Sequence, residues 1–276
     1  MRINLVVNLA REDAISAACE AADWLRARGV EVGAEEELSK VIPIQTLPVE
    51  ELGDADLVVA IGGDGTLIRA AHICSVRGTP VLGVYYGRFG FVTKCDPEEL
   101  FPTLEVFLSG NAKIEERMMI QTELIRGDKP VATLHCLNEA VLHRDATGRV
   151  LTFSVTVDGE FLTSYPADGV LLVTPTGSTA YNLSAGGPIV DPGLKAMILT
   201  PINAHTLTVR PLVLQSNSCV ELSVSNDGDA VLLCDGQHRL HLLSGDVVRI
   251  TSSDRITRLV KVKEMDFLVK LRDRIF

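Results

Sequence analysis

Leu57, Val58, Val59, Ala60 and Ile61 form an unbroken apolar run that halts at Gly62-Gly63-Asp64-Gly65, and apolar periodicity resumes at Leu67. A short run with no polar residue, bounded by turn signals, reads as a strand buried on both faces. The pattern beyond it reads as a helix over residues 67–76. Strand, tight turn and helix in that order make the unit of a parallel, helix-covered sheet, whose ligands sit at the carboxyl ends of the strands. Glycine lets another molecule approach the backbone, and free N–H groups at a helix N-terminus attract phosphate. Yet this turn carries an anion, Asp64. A carboxylate there makes sense as a proton acceptor or as a partner of a metal ion, and less sense in a passive phosphate cradle.

The alternation continues through the first hundred residues. Residues 3–7 and 80–84 read as further strands, residues 12–28 as an alanine-rich helix ended by Gly29, and residues 97–108 as a helix closed by Ser109-Gly110. After Asn111 the pattern becomes short β-branched runs at 120–125, 131–136, 152–157, 170–173, 219–224, 230–234 and 247–251. Turn signals such as Asp158-Gly159 and Asn226-Asp227-Gly228 separate them, as in a mostly antiparallel region. The expected organisation is an α/β domain over 1–110 and an all-β, sandwich-like domain over 111–265. A last helix over 266–276 is expected to pack back on the first domain.

A chain of 276 residues is long enough for two cores, and 46% hydrophobic with 22% charged residues fits a folded enzyme rather than a disordered chain. The formal charge of −10 argues against nucleic-acid or anionic-membrane partners, which the molecule as a whole would repel. No apolar run approaches the roughly 18 residues of a membrane span, and the first residues enter a strand pattern directly, so a cytoplasmic protein is expected. Cys19, Cys74, Cys95, Cys136, Cys219 and Cys234 include no C-x-x-C pair and read as buried thiols. His238 and His241 are three apart but have no evident co-ligands.

Three further segments stand out. Gly83-Val84-Tyr85-Tyr86-Gly87-Arg88-Phe89-Gly90 is a second glycine loop after a strand. Leu137-Asn138-Glu139 sets an amide beside a carboxylate at a strand end. Residues 168–188 are a strand followed by a hydroxyl- and glycine-rich run with Thr174, Thr176, Ser178, Thr179, Asn182 and Ser184. That is more hydrogen-bonding capacity than a loop needs for its own backbone, and Tyr181 within it offers a flat face for a base. Ser178 can also cap a short helix over residues 179–184. No G-x-x-x-x-G-K-[ST] occurs, and the first loop has Ile68 where G-x-G-x-x-G needs its third glycine, which disfavours P-loop and dehydrogenase chemistry.

Gly62-Gly63-Asp64-Gly65-Thr66, Leu137-Asn138-Glu139, the block from Thr174-Pro175-Thr176-Gly177-Ser178-Thr179-Ala180-Tyr181 to Ser184-Ala185-Gly186-Gly187-Pro188, and Cys234-Asp235-Gly236-Gln237 together closely resemble the NAD kinase family. The resemblance runs from about residue 2 to 270, with the motifs in the family's order. The first motif is shared with diacylglycerol and sphingosine kinases; the Asn-Glu pair and the hydroxyl-rich block are more specific. The resemblance implies an NAD kinase-like fold and transfer of the γ-phosphoryl group of ATP, or of polyphosphate, to the 2′-hydroxyl of the adenosine ribose of NAD. It implies Mg²⁺ held mainly by ATP phosphates and water, with no protein side chain assigned as a direct ligand, and a homodimer or homotetramer.

By the same resemblance Asp64 is the proton acceptor. Gly65, Arg69, Asn138, Glu139, Arg149, Asp168, Thr179, Ala180, Tyr181, Asn182, Leu183, Ser184 and Gln237 match NAD-binding positions. Gly62, Gly63 and Asp235 are expected near the phosphates or the metal. Tyr85 replaces a common asparagine, Phe89 a common leucine, and Pro166 stands where a basic residue is frequent. Two other readings are a lipid kinase, which the acidic charge disfavours, and a silent NAD(P)-binding subunit, which gains little from Asp64.

Overall fold

The computed structural model describes residues 1–86, 90–92, 95–145, 150–224, 229–262 and 266–275. The expectations for Phe89, for Arg149 and for the turn at 226–228 fall outside these. The chain forms two compact units, one of residues 1–117 with 256–276 and one of residues 118–255.

In the first unit, β1 (Arg2–Val7), α1 (Glu12–Arg26), β2 (Glu31–Ala34), α2 (Glu36–Ser39), β3 (Gln45–Thr46), β4 (Leu57–Gly62), α3 (Asp64–Ser75), β5 (Pro80–Tyr85) and α4 (Leu100–Leu108) follow in order. The strands pair in parallel as β3-β2-β1-β4-β5, and Arg258 and Leu259 add a further parallel pairing beside β5. Residues alternate across a strand, so β4 feeds two cores. Leu57, Val59 and Ile61 pack with Ala14, Ala18, Ala21 and Leu25 of α1. Val58 and Ala60 pack with Leu67, Ala70 and Cys74 of α3. All six residues of β4 are buried, which is why the strand carries no polar residue.

The structure moves several boundaries. α3 begins at Asp64 rather than Leu67, because the Gly63 carbonyl already accepts the N–H groups of Thr66 and Leu67. α1 stops at Arg26, and Gly29 takes the left-handed conformation, φ +74°, that ends the turn. Residues 97–108 split into a 3₁₀ turn, Pro97–Glu99, and α4; Asp96 and Glu99 form a reciprocal cap at the start. β2 has no clear sequence signal, because four residues, three of them small or β-branched, make too short a pattern.

The chain enters the second unit along β6 (Ile114–Arg126) and then forms β7 (Lys129–Cys136), β8 (Glu139–Arg144), β9 (Leu151–Val157), β10 (Glu160–Ala167), β11 (Gly169–Val173), α5 (Tyr181–Ser184), β12 (Ala196–Ile202), β13 (Leu212–Gln215), β14 (Val220–Val224), β15 (Ala230–Cys234) and β16 (His238–Leu242). It returns along β17 (Val247–Val260) and closes in α6 (Asp266–Arg274). β13-β12-β11-β8-β15-β16 form one antiparallel sheet. β10-β9-β14 and the first half of β17 form antiparallel pairs in another.

Both sheets contribute to one core: Leu142, Leu172 and Leu232 from the first meet Phe153, Val155, Leu222 and Ile250 from the second, the arrangement of a sandwich. Asp158 (φ +51°) and Gly159 (φ +84°) make the tight β9–β10 hairpin that their sequence announces. On the outer face of the first sheet, Ala185 and Val190 pack on Val141, Leu171 and Val173. The hydroxyl-rich segment is thereby fixed to the sheet. Among the described residues no helix is long and apolar enough to cross a membrane.

Candidate active site

In the α/β unit the first turn is built by close contact. A Cβ on Gly62 would lie 2.4 Å from Thr66 Oγ1, so only glycine lets β4 turn this sharply into α3. Asp64 is the first residue of α3, and its half-buried carboxylate faces the second glycine loop. Its Oδ2 accepts the N–H of Phe91 at 2.9 Å and that of Val92 at 3.4 Å. A Cβ on Gly90 would fall 1.9 Å from the carboxylate. The two glycine loops therefore meet at Asp64, and Tyr86 N–H adds a bond to the Gly62 carbonyl at 2.9 Å. Gly65 is exposed beside the aspartate.

Arg69, farther along α3, is engaged by both oxygens of Glu35, one at 2.7 Å. Glu35 is buried, and its hydrogen bond raises the pKa of the guanidinium. No sequence signal marked Glu35. It opens an acidic run that looks like a solvated helix start.

In the β unit, Leu137 and Asn138 form the turn between β7 and β8, and Glu139 is the first residue of β8. Asp235, on the turn after β15, accepts the N–H groups of Leu137 at 2.7 Å, Asn138 at 2.8 Å and Glu139 at 2.9 Å. Both its oxygens are thus used by main chain. Thr174 clamps the same turn from β11: its Oγ1 donates to Leu137 O at 2.5 Å and accepts Gly177 N–H at 3.1 Å, while its N–H bonds Asn138 O at 2.8 Å. A Cβ on Gly177 would lie 2.3 Å from Asn138 O. The Leu137–Glu139 turn and the hydroxyl-rich segment are therefore one structure.

Two side-chain atoms of that structure, Asn138 Oδ1 and Glu139 Oε2, are buried with no hydrogen-bond partner among the described residues. Burial, and then the nearby Asp235, push the Glu139 carboxyl up to about 8. Tyr181 lies within electrostatic reach of Asp168 and Glu139; burial and those carboxylates raise its phenol. Asp168 is held by Arg144 at 2.7 Å and Asn203 at 2.8 Å, which keep its carboxyl below the usual range, the Asn203 bond foremost.

The other expected residues divide by task. Asn182 is fully buried: its amide donates to Ser178 O and Pro188 O and accepts from Thr200 Oγ1 at 2.7 Å, which holds the segment to β12. Ser178 does not cap α5. Its Oγ donates to Pro175 O at 2.7 Å and accepts Val190 N–H at 3.1 Å, closing the segment on itself. Thr179, Ala180 and Leu183 are half-buried, and Tyr181, Ser184 and Gln237 are exposed. Gln237 sits on the β15–β16 turn two residues after Asp235.

The ATP-NAD kinase N-terminal domain model matches residues 3–112, and the ATP-NAD kinase C-terminal domain model matches residues 137–262. The chain belongs to the ATP-NAD kinase family. It is 42% identical over 269 residues to the NAD kinase of Citrifermentans bemidjiense, covering 95% of this chain and 93% of that protein. The NAD kinase of Moorella thermoacetica is 40% identical over 277 residues, covering 99% and 89%. Yeast NADH kinase in complex with NADH superimposes with a TM-score of 0.94 at 27% identity, over 100% of this chain and 87% of that one. An NAD kinase from Archaeoglobus fulgidus in complex with ATP gives 0.79 at 25%, over 100% and 97%. The Asp64 turn lies in the α/β unit and the Asn138-Glu139 turn in the β unit.

Proposed function

We propose that this NAD kinase family member transfers the γ-phosphoryl group of ATP to the 2′-hydroxyl of the adenosine ribose of NAD, releasing ADP and NADP. The observation that carries the reading is the pair of buried atoms on the Asn138-Glu139 turn that have no partner among the described residues. A buried polar atom left unsatisfied costs about 1–3 kcal/mol, a cost that a polar ligand with matching groups removes. Tyr181, within electrostatic reach of Glu139, and Gln237, on the turn that carries Asp235, supply a flat ring and an exposed amide suited to a nucleoside, and the anchored Asp168 carboxylate is assigned to a further NAD contact.

Asp64 is the proton acceptor. As the ribose oxygen bonds to the γ-phosphorus and the bond to ADP breaks, the hydroxyl proton passes to this carboxylate. Its hydrogen bond from Phe91 fixes its direction, and orientation contributes more than basicity because the proton leaves late. Magnesium is assigned to ATP phosphates and water, the usual habit of this ion at a phosphoryl-transfer site. When bound, the ion neutralises charge on the transferred group. Arg69 is assigned to pyrophosphate, and Gly62 and Gly63 to the phosphate side.

The protein is assigned to the cytoplasm, in keeping with the buried thiols of Cys74, Cys136 and Cys234. It is assigned a homodimer or homotetramer, in keeping with the exposed apolar residues Leu212 and Val213 on edge strand β13. Incubation with NAD, Mg²⁺ and either ATP or polyphosphate, read by an NADP-specific dehydrogenase, tests the activity and identifies the donor. Asp64→Asn is expected to lower kcat by about 10²-fold or more with NAD still bound; a variant with full turnover removes the base from the mechanism.

A further inference from the structure

Asp235 is 8% exposed, stands in the left-handed backbone region (φ +49°), and spends both oxygens on three consecutive main-chain N–H groups at 2.7–2.9 Å. A carboxylate is an acceptor-only group, matched here by donors from a turn nearly a hundred residues away in sequence. The turn it holds presents Asn138 Oδ1 and Glu139 Oε2, both buried and both without partners among the described residues. From the geometry we infer that Asp235 is a positioning residue for dinucleotide binding. It fixes the main chain of the Leu137–Glu139 turn so that Asn138 and Glu139 are oriented for NAD before NAD arrives. The inference rests on the reading that Asn138 and Glu139 contact NAD.

The arrangement has a chemical consequence that simple scaffolding lacks. Two carboxyl groups are buried side by side, and only Asp235 is fully supplied with donors. The titratable groups acting on Glu139 are Asp235, from the turn after β15, and Tyr181, from α5. Cys136, at the end of β7, faces Asp235 and is kept a neutral thiol by burial. Neutralising Asp235 therefore removes the anion that, among the described residues, adds to burial in raising Glu139, and the Glu139 titration should move down.

The experiment is isothermal calorimetry of NAD binding from pH 6 to 9.5, with steady-state kinetics, for the wild type, Asp235→Asn, Glu139→Gln and Glu139→Ala. Asp235→Asn sets an amide N–H against a main-chain N–H and is expected to weaken NAD binding and raise its KM about tenfold or more, the loss of one or two such bonds. KM for ATP should stay within about twofold. The pH dependence of NAD binding is expected to show a midpoint set by Glu139 in the wild type, a lower one in Asp235→Asn and none in Glu139→Gln.

Weakened binding with an unmoved midpoint, or KM for ATP rising in step with KM for NAD, would overturn the assignment and leave Asp235 a general fold residue. If Asp235→Asn does not fold, Asp235→Ser keeps one acceptor without the charge, and the same midpoint shift is read from it. Unchanged NAD binding in Glu139→Ala would instead sink the underlying reading of the turn as part of the NAD site.

Discussion

At the scale of single residues, two carboxyl groups, one in each unit, are treated in opposite ways. Asp64 lies at a helix N-terminus and is steered by the Phe91 N–H, with no side chain at position 90 to push it aside. Gly90→Ala is expected to displace the Asp64 carboxylate, because the added carbon would fall on it at 1.9 Å. Its signature is a kcat loss of about tenfold or more with little change in melting temperature, since the side chain can rotate away; an unchanged kcat would dissociate the second glycine loop from catalysis. Glu139 is buried instead, with its titration moved from 4.5 to about 8.

A carboxyl whose folded-state pKa is raised contributes its stability below the unfolded value and loses it as pH rises toward the folded value. Between about 4.5 and 8 this single group should weaken folding with a slope of up to about 1.4 kcal/mol per pH unit. Glu139→Gln cannot ionise. Its stability advantage over the wild type, measured by urea unfolding, should grow across that window and level off above it; an advantage independent of pH would contradict the cause.

Among elements, the informative unit is the composite of the β7–β8 turn, the end of β11 and the hydroxyl-rich segment. The residue types in residues 174–184 predicted polar recognition, but the structure spends many of those groups internally. Thr174, Ser178 and Asn182 tie the segment to Leu137, Val190 and Thr200, which leaves Thr179, Tyr181 and Ser184 more open. Gly177 shows how tight the assembly is. Gly177→Ala sets a methyl group 2.3 Å from the Asn138 carbonyl, so backbone must shift, at an expected cost of about 1–3 kcal/mol. NAD affinity should fall with it while the fold persists in circular dichroism; undiminished affinity would separate this contact from the site.

For the whole molecule, charge and topology set the terms. The formal charge of −10 opposes the approach of polyanionic ATP, and the repulsion reaches farther at low salt, where the screening length is about 30 Å against about 8 Å near physiological ionic strength. kcat/KM for ATP should therefore rise as KCl increases toward about 0.15 M. A steady fall over that range would mean that local arginines, not the overall field, steer the nucleotide.

Sequence by itself determined the parallel sheet around residues 57–61, the change to antiparallel strands, the identity of Asp64, and the Asn138-Glu139 and hydroxyl-rich motifs. Each is a local pattern: burial on both faces demands an unbroken apolar run, and sharp turns demand glycine. Tertiary structure alone decided that Asp235 grips the Leu137–Glu139 turn, that Glu35 engages Arg69, that Gly90 touches Asp64 and that Glu139 is lifted to about 8. Those facts depend on which groups, 26 to nearly 100 residues apart, share a low-dielectric interior, and no periodicity or spacing encodes that distance.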